Sequence, residues 1–210
     1  MSLAYLMNSY PMPSTTFIGR EIAALEAAGE PVTRYAIRPW EDHPLVDPHD
    51  IAERGRTRYL LTGSKRELAL AALAILARPR RMRAAGGETV RHAAYLLEAA
   101  ALVRCARRDG IDHVHAHFST NAATVAMLAE ALGGPTWSMT VHGPTDFFTP
   151  YSGSLGLKAE RAALVACISW YCRSQVMIFA DPAHWRKLRI VHCGIEPERY
   201  AAGAAPRAEG

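Results

Sequence analysis

The feature that most constrains this chain is a repeated alternation of short apolar runs with stretches of helical spacing. Residues 3–8 read as a buried strand. From Thr16 the apolar residues Phe17, Ile18, Ile22, Leu25 and Ala28 return at helical spacing until Gly29 stops them. Residues 32–37 form a second strand. Further strands are expected at 111–118, 136–141, 165–169 and 188–192, with helices at 122–132, 155–164 and 170–179 between them. Residues 65–84 and 87–109, rich in Ala, Leu and Arg, read as two long helices parted by Gly86-Gly87. The polar stretch 39–63, with Pro44 and Pro48, reads mostly as loop with some short helix. Such alternation predicts an α/β fold, a Rossmann-like parallel sheet with helices on both faces. One domain is expected over 1–195, and the Ala/Gly/Pro-rich 196–210 reads as a linker. Ligands of such sheets lie beyond the carboxyl ends of the strands, here the loops 9–16, 117–121, 142–150 and 169–173.

Composition narrows the class. Half of the 210 residues are apolar and 21% are charged, enough for a sizeable core and against wholesale disorder. The net charge of +4 gathers in two arginine clusters, Arg78, Arg80, Arg81, Arg83 and Arg104, Arg107, Arg108. These are solvated helix faces, or surfaces that meet phosphate or anionic lipid. They lack the interleaved aromatics that bind single-stranded nucleic acid, so no nucleic-acid partner is expected. Leu68, Leu70, Leu73, Ile75 and Leu76 run directly into Arg78-Pro79-Arg80-Arg81. That pattern suits an anionic membrane surface, or a core helix with a basic C-terminal end. The longest apolar run, 68–77, is well short of the ~20 residues of a membrane span, and the N-terminus lacks a basic signal-peptide region. Cys105, Cys167, Cys172 and Cys193 follow neither a zinc nor a disulfide pattern and read as reduced thiols. A cytoplasmic protein, at most peripheral at the membrane, is expected.

Two segments carry candidate chemistry. His113, His115 and His117 alternate along one strand and so share a face. An H-x-H pair at a strand end can bind metal if His142 or Asp146 completes the set, which would make a metal-dependent hydrolase. The same histidines could instead be packed and hydrogen-bonded within the sheet. In the second segment His142 stands at a strand tip beside Gly143, with Pro144 stiffening the loop and Asp146 near enough to orient the imidazole or bind sugar hydroxyls. Ser14, Thr15 and Thr16 precede the first helix and can cap it or leave its amides for an anion. No dinucleotide fingerprint, P-loop or Ser elbow is present.

The ordered set of these segments resembles the N-terminal domain of family-4 glycosyltransferases, one half of the two-domain GT-B fold, and is most similar to members that build bacterial exopolysaccharide of the colanic-acid type. The resemblance is carried by Pro13-Ser14-Thr15-Thr16-Phe17-Ile18 with Glu21, Ile22 and Leu25, then by His115-Ala116-His117-Phe118. His142-Gly143 with Asp146 continues it, followed by Ile168-Ser169 with Arg173 and by 190–196 with Tyr200. It implies transfer of a sugar from a nucleotide-sugar to a glycan or lipid-linked acceptor, with retention and without bound metal or other cofactor. By that resemblance His142 and Asp146 are catalytic. Ser14, Thr15, Thr16, His117, Asn121, Gly143 and Arg173 are contacts for acceptor or donor. The family's donor-binding C-terminal domain is absent from this chain, so the polypeptide alone is expected to be inactive. A non-catalytic module for a glycan or lipid carrier is the other class consistent with these residues.

Overall fold

The computed structural model describes residues 1–61, 90–148 and 154–195, with the backbone alone for 90–93. Among them the expected alternation becomes one parallel sheet. Its strands are β1 (Leu3–Ser9), β2 (Val32–Arg38), β3 (Thr57–Tyr59), β4 (His113–His117), β5 (Thr136–Val141), β6 (Val165–Cys167) and β7 (Leu188–Ile190). They lie in the order β3-β2-β1-β4-β5-β6-β7, and every pairing is parallel. The helices are α1 (Thr16–Ala27), α2 (Pro48–Arg56), α3 (Val90–Asp109), α4 (Asn121–Ala131), the one-turn α5 (Pro144–Phe147), α6 (Leu155–Arg161) and α7 (Trp170–Phe179). The chain winds outward from β1 to β3, returns to lay β4 against β1, and then winds the other way. Winding reverses between β1 and β4, which opens a crevice at their carboxyl ends.

Alternation within the strands builds the two layers. Ala4 and Leu6 of β1, Tyr35 and Ile37 of β2, Val114 and Ala116 of β4 and Trp137, Met139 and Val141 of β5 join one large core with residues of α3, α4, α6 and α7. Fully burying an apolar side chain of this size stabilises by about 1.5–3 kcal/mol. The intervening positions Tyr5, Met7, Val32 and Ala36 form a smaller core with Ile18 and Ile22 of α1 on the opposite face.

The stretch 39–63 holds more structure than its sequence suggested. Its short helix is α2, started by Asp47, whose side chain accepts from the His49 amide, with Pro48 in the first turn. The edge strand β3 follows at once and had been read as loop. The buried positions of α2 are Asp50 and Glu53, so no apolar stripe announces it. Glu53 meets a cation instead. Arg34 of β2 is buried and bonded to Glu26 of α1 and Glu53 of α2, while the Tyr10 hydroxyl donates to Glu53 at 2.8 Å. Arg56 adds a second link to both carboxylates.

The helix expected over 65–84 and the Arg78–Arg83 cluster lie outside the described residues. The following helix is described from Val90, and its Arg104, Arg107 and Arg108 face solvent. The four cysteines, all among the described residues, form no disulfide. No helix among the described residues is long and apolar enough to cross a membrane.

Candidate active site at the crevice

The second face of β4 and β5 is polar throughout. Register sets His113 beside Thr136, His115 beside Ser138 and His117 beside Thr140. The first two imidazoles are spent on hydroxyls. His113 Nδ1 lies 2.8 Å from Thr136 Oγ1 and its Nε2 2.7 Å from Ser138 Oγ. His115 Nδ1 lies 2.7 Å from Ser138 Oγ and its Nε2 2.7 Å from Thr140 Oγ1. Imidazole and hydroxyl therefore alternate up the sheet toward the crevice. Burial pulls the His115 pKa down to about 3, and the neighbouring His113 and His142 add to the effect. His117 breaks the pattern. It is buried, its Nδ1 faces His142 Nε2 at 3.1 Å, and its Nε2 has no hydrogen-bond partner.

His142 stands at the tip of β5 in an aromatic collar. Its ring stacks on His117 at 5.3 Å and packs against Phe17 at 4.7 Å and Phe118 at 4.5 Å. Burial lowers its pKa to about 4, with Asp146 pulling the other way, so the imidazole is neutral near pH 7. A neutral imidazole has one donor and one acceptor nitrogen. The His117–His142 contact therefore couples two tautomers. Either His117 donates and the proton of His142 sits on Nδ1, or His142 donates and its Nδ1 is a bare lone pair. Phe118 holds its place in the collar at a backbone φ of 68°, a left-handed conformation that is rare for a bulky residue and concentrates at functional sites.

Asp146 does not face the crevice. Its carboxylate is fully buried and accepts from four donors. Oδ1 takes the Ser119 amide at 2.7 Å and the Ser119 hydroxyl at 2.8 Å, while Oδ2 takes the His142 amide at 2.9 Å and the Gly143 amide at 3.3 Å. It orients His142 through the backbone rather than through the imidazole, by clamping the β5–α5 loop to the β4–α4 loop. Lys158 of α6 completes the clamp from below. This buried ammonium donates to the carbonyls of Ser119 and Thr120, and burial lowers its pKa to about 8. Sequence reasoning missed Ser119 and Lys158. The signal for Ser119 was its place in the turn between the histidine strand and the next helix. Lys158, inside an ordinary helical pattern, gave none.

The remaining expected residues are spread around this centre. Gly143 has a φ of 151°, which favours glycine by backbone conformation, since nothing crowds a Cβ there. Asn121 opens α4, accepts from the Tyr95 hydroxyl at 2.7 Å, and reaches Asn8 of β1 at 3.4 Å across the crevice. Ser14 and Thr16 are exposed at the start of α1. Thr15 is buried and bonds back to the Met12 carbonyl, so it does not cap the helix with its side chain as expected, and no side chain caps α1 there. Arg173 donates from Nε to the Leu188 carbonyl at 3.2 Å and lies over the Trp170 ring. The proposed metal set also rearranges. Among the described residues the ligand atoms that come together are those of Glu21, His115 and His117, all within 4.8 Å of one another, and His113 is not among them.

The buried imidazoles predict how stability depends on pH. The folded pKa values of His115 and His142, about 3 and about 4, lie below the ~6.5 of an unfolded chain. Above pH ~6.5 both states are neutral and their contribution is complete. Below it the unfolded state binds protons that the folded state refuses, so stability falls by up to ~1.4 kcal/mol per pH unit for each histidine. The loss levels off once the folded pKa values are passed. The urea midpoint should therefore fall between pH 6.5 and 5, with buried carboxyls of raised pKa such as Glu21 opposing part of the fall, and His115→Gln should shallow that slope. A flat midpoint would show that these rings are not buried neutral.

A doubly wound parallel sheet with its winding reversed between β1 and β4 defines a Rossmann-like domain. Solved structures share this fold. Sucrose-phosphate synthase from Thermosynechococcus elongatus is similar over 95% of this chain and 93% of its own, with a TM-score of 0.57 and 16% identity. A glycosyltransferase from Rickettsia africae is similar over 98% of this chain, with a TM-score of 0.54 and 10% identity, and this chain spans 46% of its length. The family model for Glycosyltransferase Family 4 matches residues 51–199, and the chain belongs to that family. No curated protein matches the sequence.

Proposed function

We propose that this domain is the acceptor-side half of a retaining glycosyltransferase that moves a sugar from a nucleotide-sugar to a glycan or lipid-linked acceptor in polysaccharide synthesis. The observation that carries this reading is His142. Its neutral imidazole stands at the crevice with Nε2 held by His117, and its Nδ1 makes no hydrogen bond with the described residues. Such a nitrogen can hold one hydroxyl of the transferred sugar in a fixed direction, while Phe17 and Phe118 keep water from the same spot. The uncapped amides at the start of α1, with Ser14, Thr15 and Thr16, suit an anionic group such as the donor phosphates. Asn121 and Arg173 are assigned to the outer contacts. Asp146 positions His142, and the transfer draws on no metal at the reacting atoms.

On this reading donor binding requires a C-terminal half, and the 210-residue chain alone is expected to release no nucleoside diphosphate from any nucleotide-sugar. Measurable turnover by the isolated chain would refute that. The protein is assigned to the cytoplasm, at most peripheral at an anionic membrane surface. The test of the central claim is His142→Ala and His142→Gln in a protein carrying both halves. The expected result is a fall in kcat of about 100-fold or more with acceptor affinity little changed. A non-catalytic binding module predicts the reverse, altered affinity with turnover preserved.

A further inference from the structure

We propose that Glu21, His115 and His117 form a buried site for one divalent ion of the zinc class, beneath His142 and apart from the reacting atoms. Two imidazoles two residues apart on β4 and one carboxylate from α1 supply two nitrogens and an oxygen, a donor set that suits zinc or cobalt. Their ligand atoms lie within 4.8 Å of one another. A tetrahedral ion with bonds of about 2 Å draws such atoms slightly closer.

The second, independent observation is the orphaned nitrogen. His117 is 1% exposed, its Nδ1 is committed to His142, and its Nε2 is buried with no partner. An unsatisfied buried polar atom forfeits its hydration without return and calls for a ligand. Metal on Nε2 removes that cost. The surroundings are arranged as an outer shell. Tyr5 packs its ring 5.2 Å from His115 and 4.9 Å from His117 and donates its hydroxyl to Glu21 at 2.5 Å. Ser138 and Thr140 hold His115, and binding would cost that ring one of its two hydroxyl contacts. Burial lowers the pKa of both imidazoles, which favours the lone pairs a metal needs, and raises that of the Glu21 carboxyl. A cavity of about 610 Å³ lined by Tyr5, Arg20, Glu21, His192 and Gly194 adjoins the site on the Glu21 side.

Occupancy would reach the crevice through one hydrogen bond. An ion on His117 Nε2 leaves the ring proton on Nδ1, so His117 donates to His142 Nε2. The proton of His142 is then fixed on Nδ1, facing outward as a donor. The ion thus selects one of the two coupled tautomers without touching substrate. The site itself does not rest on the glycosyltransferase reading.

Cobalt titration of the purified chain, followed by visible absorption and by competition with a zinc-binding dye, tests the proposal. The expected result is one ion per chain at micromolar free metal or below. Glu21→Gln and His117→Asn should each weaken binding at least tenfold, and His184→Asn, on the surface, should leave it unchanged. Should a variant fail to fold, the imidazole nitrogen resonances of the unsubstituted protein decide, since zinc must move those of His115 and His117. No stoichiometric uptake, uptake indifferent to both substitutions, or resonances that stay put would overturn it.

Discussion

Asp146→Ala is expected to destabilise the domain by about 4 kcal/mol and to lower its melting temperature by about 10 °C. The reasoning is an accounting of donors. The Ser119 amide and hydroxyl and the His142 and Gly143 amides all end on this one fully buried carboxylate. Truncation leaves them without an acceptor, and a buried group left unpaired loses about 1–3 kcal/mol. It also removes the negative charge that opposes the desolvation of Lys158. Asn is no remedy, although it has the same shape. Each carboxylate oxygen receives two donors, and an amide nitrogen in place of either would point its own hydrogens at N–H or O–H groups. Asp146→Asn should therefore lose most of what Asp146→Ala loses. Calorimetric melting of both variants checks this, and a change below 1 kcal/mol in either would show that the clamp is not what holds the two loops.

Gly156→Ala is the second large effect, and it arises from shape alone. Gly156 lies in α6 against the end of α7, where an added Cβ would sit 2.0 Å from the Phe179 carbonyl oxygen and 2.9 Å from its carbon. The obstruction is backbone at the close of a helix, so no side chain can swing aside, and the two helices must separate. That movement opens the core around Leu155, Ala159, Cys172 and Val176, all of which are buried there. A cost of about 3 kcal/mol or more is expected, at the top of the range for overpacked interiors. The helical preference of Ala over Gly, about 1 kcal/mol, offsets only part of it. Urea unfolding measures the result. A variant as stable as the parent would mean that α6 and α7 are not in this contact.

The fold was legible where it rests on apolar periodicity. The alternation in 3–8, 32–37 and 136–141 gave the strands of a parallel sheet with small errors at their ends, and Trp170–Phe179 was bounded as it stands. Legibility ended where charge takes the place of apolar burial. α2 buries Asp50 and Glu53, and the pairing of Glu53 with Arg34 joins residues 19 apart and leaves no stripe in the sequence. The candidate site divides along the same line. His142, Gly143 and the histidine strand were visible as local patterns. The carboxylate of Asp146 could be placed near His142 by spacing, but not turned inward, because its other partner, Ser119, is 27 residues away. The burial of Lys158 and the inward turn of Glu21 were hidden for the same reason. Each sits in an amphipathic helix where a charged residue ordinarily marks the solvent side.

The polar face of β4 and β5 also bears on how the chain finds its fold. A slip of either strand by a single residue would turn His113, His115 and His117, or Thr136, Ser138 and Thr140, into the large core, and bring Val114, Ala116, Trp137 or Met139 out of it. In most sheets such a misalignment is penalised by lost apolar burial alone. Here it would also strip the ring nitrogens of His113 and His115 of their hydroxyls. The imidazole–hydroxyl ladder thus acts as a checksum on strand alignment, adding lost hydrogen bonds to the cost of every slipped register.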